Sequence, residues 1–111
     1  MTDAFRQNYG TPKARQERIL AFWEECLFAK SEEYQETSFT LEIGCGHGHW
    51  LTAYSESRPK EFCIGIDLIT KRIDKAVSKK EKRELPLLFF FKADALEFLQ
   101  NLPESLRIGK T

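Results

Sequence analysis

The stretch LEIGCGHGHWL, residues 41–51, places glycines at 44, 46 and 48 directly behind a short apolar run. A strand does not carry that many glycines, because each removes a packing side chain and adds freedom to the unfolded chain. A flexible linker would spread its glycines among polar spacers over a longer stretch. What remains is a tight turn from a strand into a helix. There glycine takes positive φ without strain and lets a ligand approach the main chain. A strand feeding a helix through such a turn belongs to an α/β fold.

The rest of the chain fits that fold. Residues 1–13 are polar and broken by Gly10 and Pro12, so they read as a flexible arm before a domain over 14–111. Ile19, Phe22, Trp23, Cys26 and Leu27 fall on one face of a helix. After a polar connector, FTLEI (39–43) reads as the first strand, and 47–57 as a helix with Trp50, Leu51 and Tyr54 on one side. Pro59 stops that helix. FCIGI (62–66) is apolar enough for a strand buried on both faces. Ile69, Ile73, Ala76 and Val77 then repeat at helical spacing, LLFFF (87–91) reads as a third strand, and a short helix uses Leu96, Phe98 and Leu99. A polar tail follows Pro103. Alternating strands and helices predict three parallel strands with crossover helices, and ligands sit outside the carboxyl ends of such strands.

Three acidic positions fall on that rim: Glu42 with the glycine turn, Asp67 after the second strand, and Asp94 after the third. Gly44, Gly46 and Gly48 make G-x-G-x-G, with His49 where a dinucleotide fingerprint carries its third glycine. That mismatch counts against a dinucleotide without excluding one. The terminal Gly109-Lys110-Thr111 imitates a phosphate loop, but Glu104 occupies the required glycine position. Asp67 lies where a carboxylate accepts hydrogen bonds from ribose hydroxyls, so the ligand contains a nucleoside. Asp94 is placed to reach a purine amine or to cap the next helix. With no basic residue in these loops, a nucleoside carrying a positive centre fits best, and S-adenosylmethionine is one. Each residue also has a plain reading: a tight turn for the glycines, an N-cap for Asp67, a surface position for Glu42.

Other features narrow the class. Basic and acidic side chains balance at 17 each, so no global field attracts nucleic acid. The stretch 71–83 is basic but interleaved with acids, which is the pattern of a solvated helix face, with RNA phosphate binding as the alternative. Cys26, Cys45 and Cys63 are odd in number and widely spaced, as expected of free thiols in a reducing compartment. Cys45, His47 and His49 form C-x-H-x-H without a fourth ligand at a usual spacing, so no metal site is expected. The N-terminus has no signal-peptide core and no run reaches membrane-spanning length, so the expected location is cytoplasmic.

LEIGCGHGHWL resembles the first motif of class I S-adenosylmethionine-dependent methyltransferases. Residues 41–68, LEIGCGHGHWLTAYSESRPKEFCIGIDL, are similar to the bacterial tRNA (guanine-N7-)-methyltransferase family through the Pro59 turn, the FCIGID run and Asp94-Ala95. The resemblance covers about Phe39 to Leu102. It implies a Rossmann-like sheet of which this chain carries the N-terminal half. It also implies methyl transfer to guanine N7 of tRNA, with S-adenosylmethionine as cofactor. Glu42 and Gly44 would hold the methionine end, Asp67 the ribose and Asp94 the adenine, with Gly46, Gly48 and Ala95 completing the cofactor-binding set. Asp67 stands where the family commonly has glutamate. The family's P-D-P-W segment and guanine-holding residues are absent, so catalytic residues are expected beyond Thr111 and the chain alone is expected to be inactive. A first strand with a bare edge would promote self-association through that edge. Three alternatives remain open: a noncatalytic S-adenosylmethionine- or nucleotide-binding half that needs a partner, another class I methyltransferase, and an NAD-binding oxidoreductase half.

Overall fold

The computed structural model describes residues 10–30, 38–103 and 107–110. The elements run α1 (Pro12–Lys30), β1 (Ser38–Ile43), α2 (His49–Ser57), β2 (Cys63–Asp67), α3 (Thr70–Arg83), β3 (Leu88–Lys92), α4 (Ala95–Gln100) and β4 (Arg107–Lys110). The four strands are parallel in the order β3-β2-β1-β4. Among the described residues, no helix is long and apolar enough to cross a membrane.

Each strand sends alternate side chains to opposite faces, and two cores result. Phe39, Leu41, Ile64, Ile66 and Phe89 pack on one face against Ile19, Phe22, Trp23 and Cys26 of α1 and Phe98 of α4. Cys63, Leu88 and Phe90 pack on the other against Leu51 and Tyr54 of α2 and Ile73 and Ala76 of α3. The chain steps outward from β1 through β2 to β3 with α2 and α3 on one face. It then returns across α4 on the other face to place β4 on the far side of β1. The direction of winding therefore reverses between β1 and β4, and that switch point is where open α/β sheets bind ligands.

Four expectations change. The helix begins at Pro12, not at residue 14, since proline suits the first helical turn, where no amide hydrogen is needed; most of the expected arm, residues 1–9, lies outside the described residues. The tail contains a fourth strand, Arg107–Lys110, paired with Ser38–Thr40. The expected bare edge along β1 is consequently covered there, which removes the premise of self-association through it. Trp50 does not share the buried side of its helix with Leu51 and Tyr54: it is half-exposed and stacks on Tyr54 at 5.0 Å between ring centroids.

One aromatic ring decides how closely the layers approach. A Cβ on Gly65 would lie 2.8 Å from two atoms of the Phe90 ring, and a Cβ on Gly48 only 2.6 Å from a third. Both glycines are thus required by packing, Gly48 by its φ of 74° as well. Gly65→Ala should destabilise the chain by about 1–3 kcal/mol, the usual cost of overpacking, with partial recovery when Phe90→Leu is added. Equal urea midpoints for Gly65→Ala and the parent would refute this contact.

Candidate functional site

The glycine turn is built from three left-handed residues, Gly44, Gly46 and Gly48, with φ of 71°, 59° and 74°. It is held down from β2, because the amides of Gly44 and Cys45 both donate to the Ile66 carbonyl at 2.8 and 3.0 Å. A Cβ on Gly44 or Gly46 would meet nothing within 4 Å. These two glycines therefore serve backbone conformation while leaving open space above the main chain.

Asp67 is buried at the end of β2. Its Oδ2 accepts the Gly46 amide at 3.0 Å and its Oδ1 accepts the Ile69 amide at 2.9 Å. Arg72 of α3 lies 3.9 Å from Oδ2. Burial raises the Asp67 pKa, but these amides and the Arg72 charge outweigh it and leave the net value below the ordinary one. A carboxylate has about four acceptor positions, so two hydroxyls can still be accommodated beside the two amides. Asp67 is not the N-cap of α3, which is Ile69 without a side-chain cap; its carboxylate instead holds the two loops together.

Glu42 contrasts with it. On β1 it alternates with Phe39 and Leu41 and so points to the α2–α3 face. Its Oε1 is buried without a hydrogen-bond partner, and burial raises its pKa. It lies near enough to Cys45 that burial, followed by the charges of Glu42 and Asp67, pushes that thiol up to about 12. A buried carboxylate oxygen with no donor carries an uncompensated desolvation cost that a cationic or N–H group would relieve.

Asp94 caps α4, accepting the Glu97 amide at 3.0 Å. It also borders a cavity of about 260 Å³ shared with Arg15, Ile19, Leu68, Phe91 and Ala93. Ala95 opens α4 and packs, half-buried, against the α1-side core. Glu42, Gly44, Gly46, Asp67 and Asp94 thus sit at the carboxyl ends of the strands, whereas Gly48 is buried against Phe90 and Ala95 packs into the α1-side core. The turn's Cys45, His47 and His49 do not converge: Cys45 is buried in the core, whereas both imidazoles are exposed.

Three contributors were missed in the sequence. Arg72 approaches Asp67, and Lys79 donates to the His47 carbonyl at 3.2 Å and sits 2.7 Å from His49 Nδ1. The loops hold no basic residue, yet α3 brings two cations to the rim. Leu68, next to Asp67, stays 62% exposed beside the cavity, although an apolar side chain so placed was a visible signal.

Comparisons with known proteins bear on this geometry. The family described as "Putative methyltransferase" matches residues 36–110, from just before β1 through β4. The chain belongs to this methyltransferase family. Among curated relatives, the tRNA (guanine-N(7)-)-methyltransferase of Methylococcus capsulatus is 39% identical over 66 residues, 59% of this chain and 29% of the relative. The enzyme of the same name from Chloroflexus aurantiacus is 34% identical over 64 residues, 58% of this chain and 29% of its own length. The chain thus spans less than a third of these methyltransferases. The solved structure of PKMT2 from Rickettsia typhi in complex with AdoHcy is 22% identical with a TM-score of 0.50, covering 65% of this chain and 15% of that one. That likeness supports the α/β fold. The resemblance seen in LEIGCGHGHWL and FCIGID is thereby borne out at the level of family.

Glu42 yields a pH prediction. Its folded pKa lies above its unfolded value, so the folded state holds the Glu42 proton more tightly. Glu42 therefore subtracts stability as pH rises from about its ordinary value of 4.5 through the folded pKa. Glu42→Gln should remove that decline and be more stable than the parent at pH 7. Parallel stability–pH curves from pH 4 to 7, with an unchanged midpoint at pH 7, would reject a strained carboxylate.

Proposed function

We propose that the chain forms the donor-binding half of an S-adenosylmethionine-dependent enzyme that methylates guanine N7 in tRNA. The observation that carries the reading is Glu42: a buried, unpartnered carboxylate oxygen beside a glycine turn whose open side would accept a ligand backbone. The residues present fit the cofactor. Glu42 would hold its ammonium group, Gly44 and Gly46 would lie against its methionine part, Asp67 would accept its ribose hydroxyls, and Asp94 with Ala95 would border the adenine. When bound, S-adenosylmethionine supplies a methyl group made electrophilic by its sulfonium.

Guanine N7 carries a lone pair, so the protein need not remove a proton to create the nucleophile. Its work is alignment and exclusion of water. Glu42 and Asp67 contact parts of the donor that change little during transfer. They accordingly act on binding more than on the chemical step. The names of the Methylococcus and Chloroflexus relatives support tRNA as acceptor and hence a cytoplasmic site of action.

Calorimetry tests the donor half. S-adenosylhomocysteine should bind and NAD should not, with Glu42→Gln and Asp67→Ala each weakening binding about tenfold, as expected for a lost charge-assisted hydrogen bond. NAD binding in preference to S-adenosylhomocysteine would instead favour an oxidoreductase. Methyl transfer to bulk tRNA, followed by nucleoside analysis for 7-methylguanosine, separates an enzyme from a noncatalytic binding half.

A further inference from the structure

The cavity at the carboxyl end of β3 has walls from three places. Leu68 comes from the β2–α3 loop, Phe91, Ala93, Asp94 and Glu97 from the end of β3 into α4, and Arg15 and Ile19 from α1. The third wall is remote in sequence and has to be held in place. The Arg15 Nε donates to both carboxylate oxygens of Glu97 at 2.9 Å, across 82 positions of sequence. The next residue of α1, Gln16, donates from Nε2 to Asn101 Oδ1 at 3.1 Å. Arg15 also reaches the Gly10 carbonyl, so its guanidinium joins the start of α1 to α4.

Glu97 is well placed to transmit this contact. Its amide donates to Asp94 Oδ1, and its carbonyl accepts Asn101 Nδ2 at 2.8 Å. Arg15 is therefore one residue removed from the Asp94 cap that borders the cavity. The ion pair is partly open to water, with side chains 35% and 30% exposed, so its contribution to overall stability is small. Its effect is on geometry. The core contacts of Ile19, Phe22 and Trp23 hold α1 against the sheet, whereas Arg15 and Gln16 set where its first turns lie along α4.

We propose that Arg15 and Glu97 are positioning residues that fix α1 as the third wall of the adenine subsite, making the N-terminal helix part of the cofactor site. This rests on the S-adenosylmethionine reading above. A purine entering beside the α1 wall would cover the apolar surface that Leu68 now leaves to solvent. Releasing the first turns of α1 would widen the slot and forfeit that burial, which scales with contact area.

The test uses calorimetry with S-adenosylhomocysteine and with 5′-methylthioadenosine, which keeps the adenosine but lacks the amino-acid end. Arg15→Gln and Glu97→Gln should each raise both dissociation constants about fivefold, equivalent to an ion pair of about 1 kcal/mol. The exchange Arg15→Glu with Glu97→Arg should recover most of the loss, which a nonspecific loosening of the helix would not allow. Unchanged affinity in both single variants overturns the proposal. So does a loss confined to S-adenosylhomocysteine, or failure of the exchange to recover while circular dichroism is unaltered. If the parent chain binds neither ligand, the cofactor reading itself fails and the inference falls with it.

Discussion

Asp67 joins all three loops of the rim. Its carboxylate takes the amides of Gly46 and Ile69, and its backbone carbonyl takes the amide of Ala93. One residue at the end of β2 thereby fixes the glycine turn, the start of the β2–α3 connection and the exit of β3. The loops on either side are positioned through it. Because the amides favour the ionised form, the charge that a ribose would meet is already organised. A preorganised acceptor does not pay again to order itself when the ligand arrives.

Glu42 shows the opposite balance on the same rim. Asp67 is satisfied by the fold, whereas one oxygen of Glu42 is buried with no donor. The same kind of side chain is stabilised in one place and strained in the other because of where amides happen to point. Strain of this type persists where the rest of the structure overdetermines the site, and here the β1–β2 register and the Ile66 carbonyl bonds supply that constraint. The two carboxylates thus differ in balance: Asp67 is spent on shaping the loops, whereas Glu42 keeps one oxygen unpaired.

Much of this was legible because the signals were local. The helical face of Ile19, Phe22, Trp23 and Cys26, the apolar run FCIGI and the glycine spacing each needed only a short window. β4 was not legible, since RIGK has a single strongly β-forming residue, Ile108, and is a strand only because Ser38–Thr40 offers it a ladder. Trp50 misled for a related reason. It sits beside Leu51 in sequence, but α2 turns Leu51 and Tyr54 into the core and leaves Trp50 to stack outside.

The sequence by itself determined the alternation of strands and helices, the turn that only glycine can make, and the acidic residues at three strand ends. Those follow from periodicity, backbone sterics and chain order, all properties of neighbouring residues. Only the tertiary structure decided that β4 covers part of β1, that Gly48 and Gly65 yield to Phe90, and that α1 lies against α4 through Arg15 and Glu97. It also decided which carboxylate is satisfied and which is not. Those outcomes depend on groups distant in the chain meeting at ångström separations, and no local pattern encodes that distance.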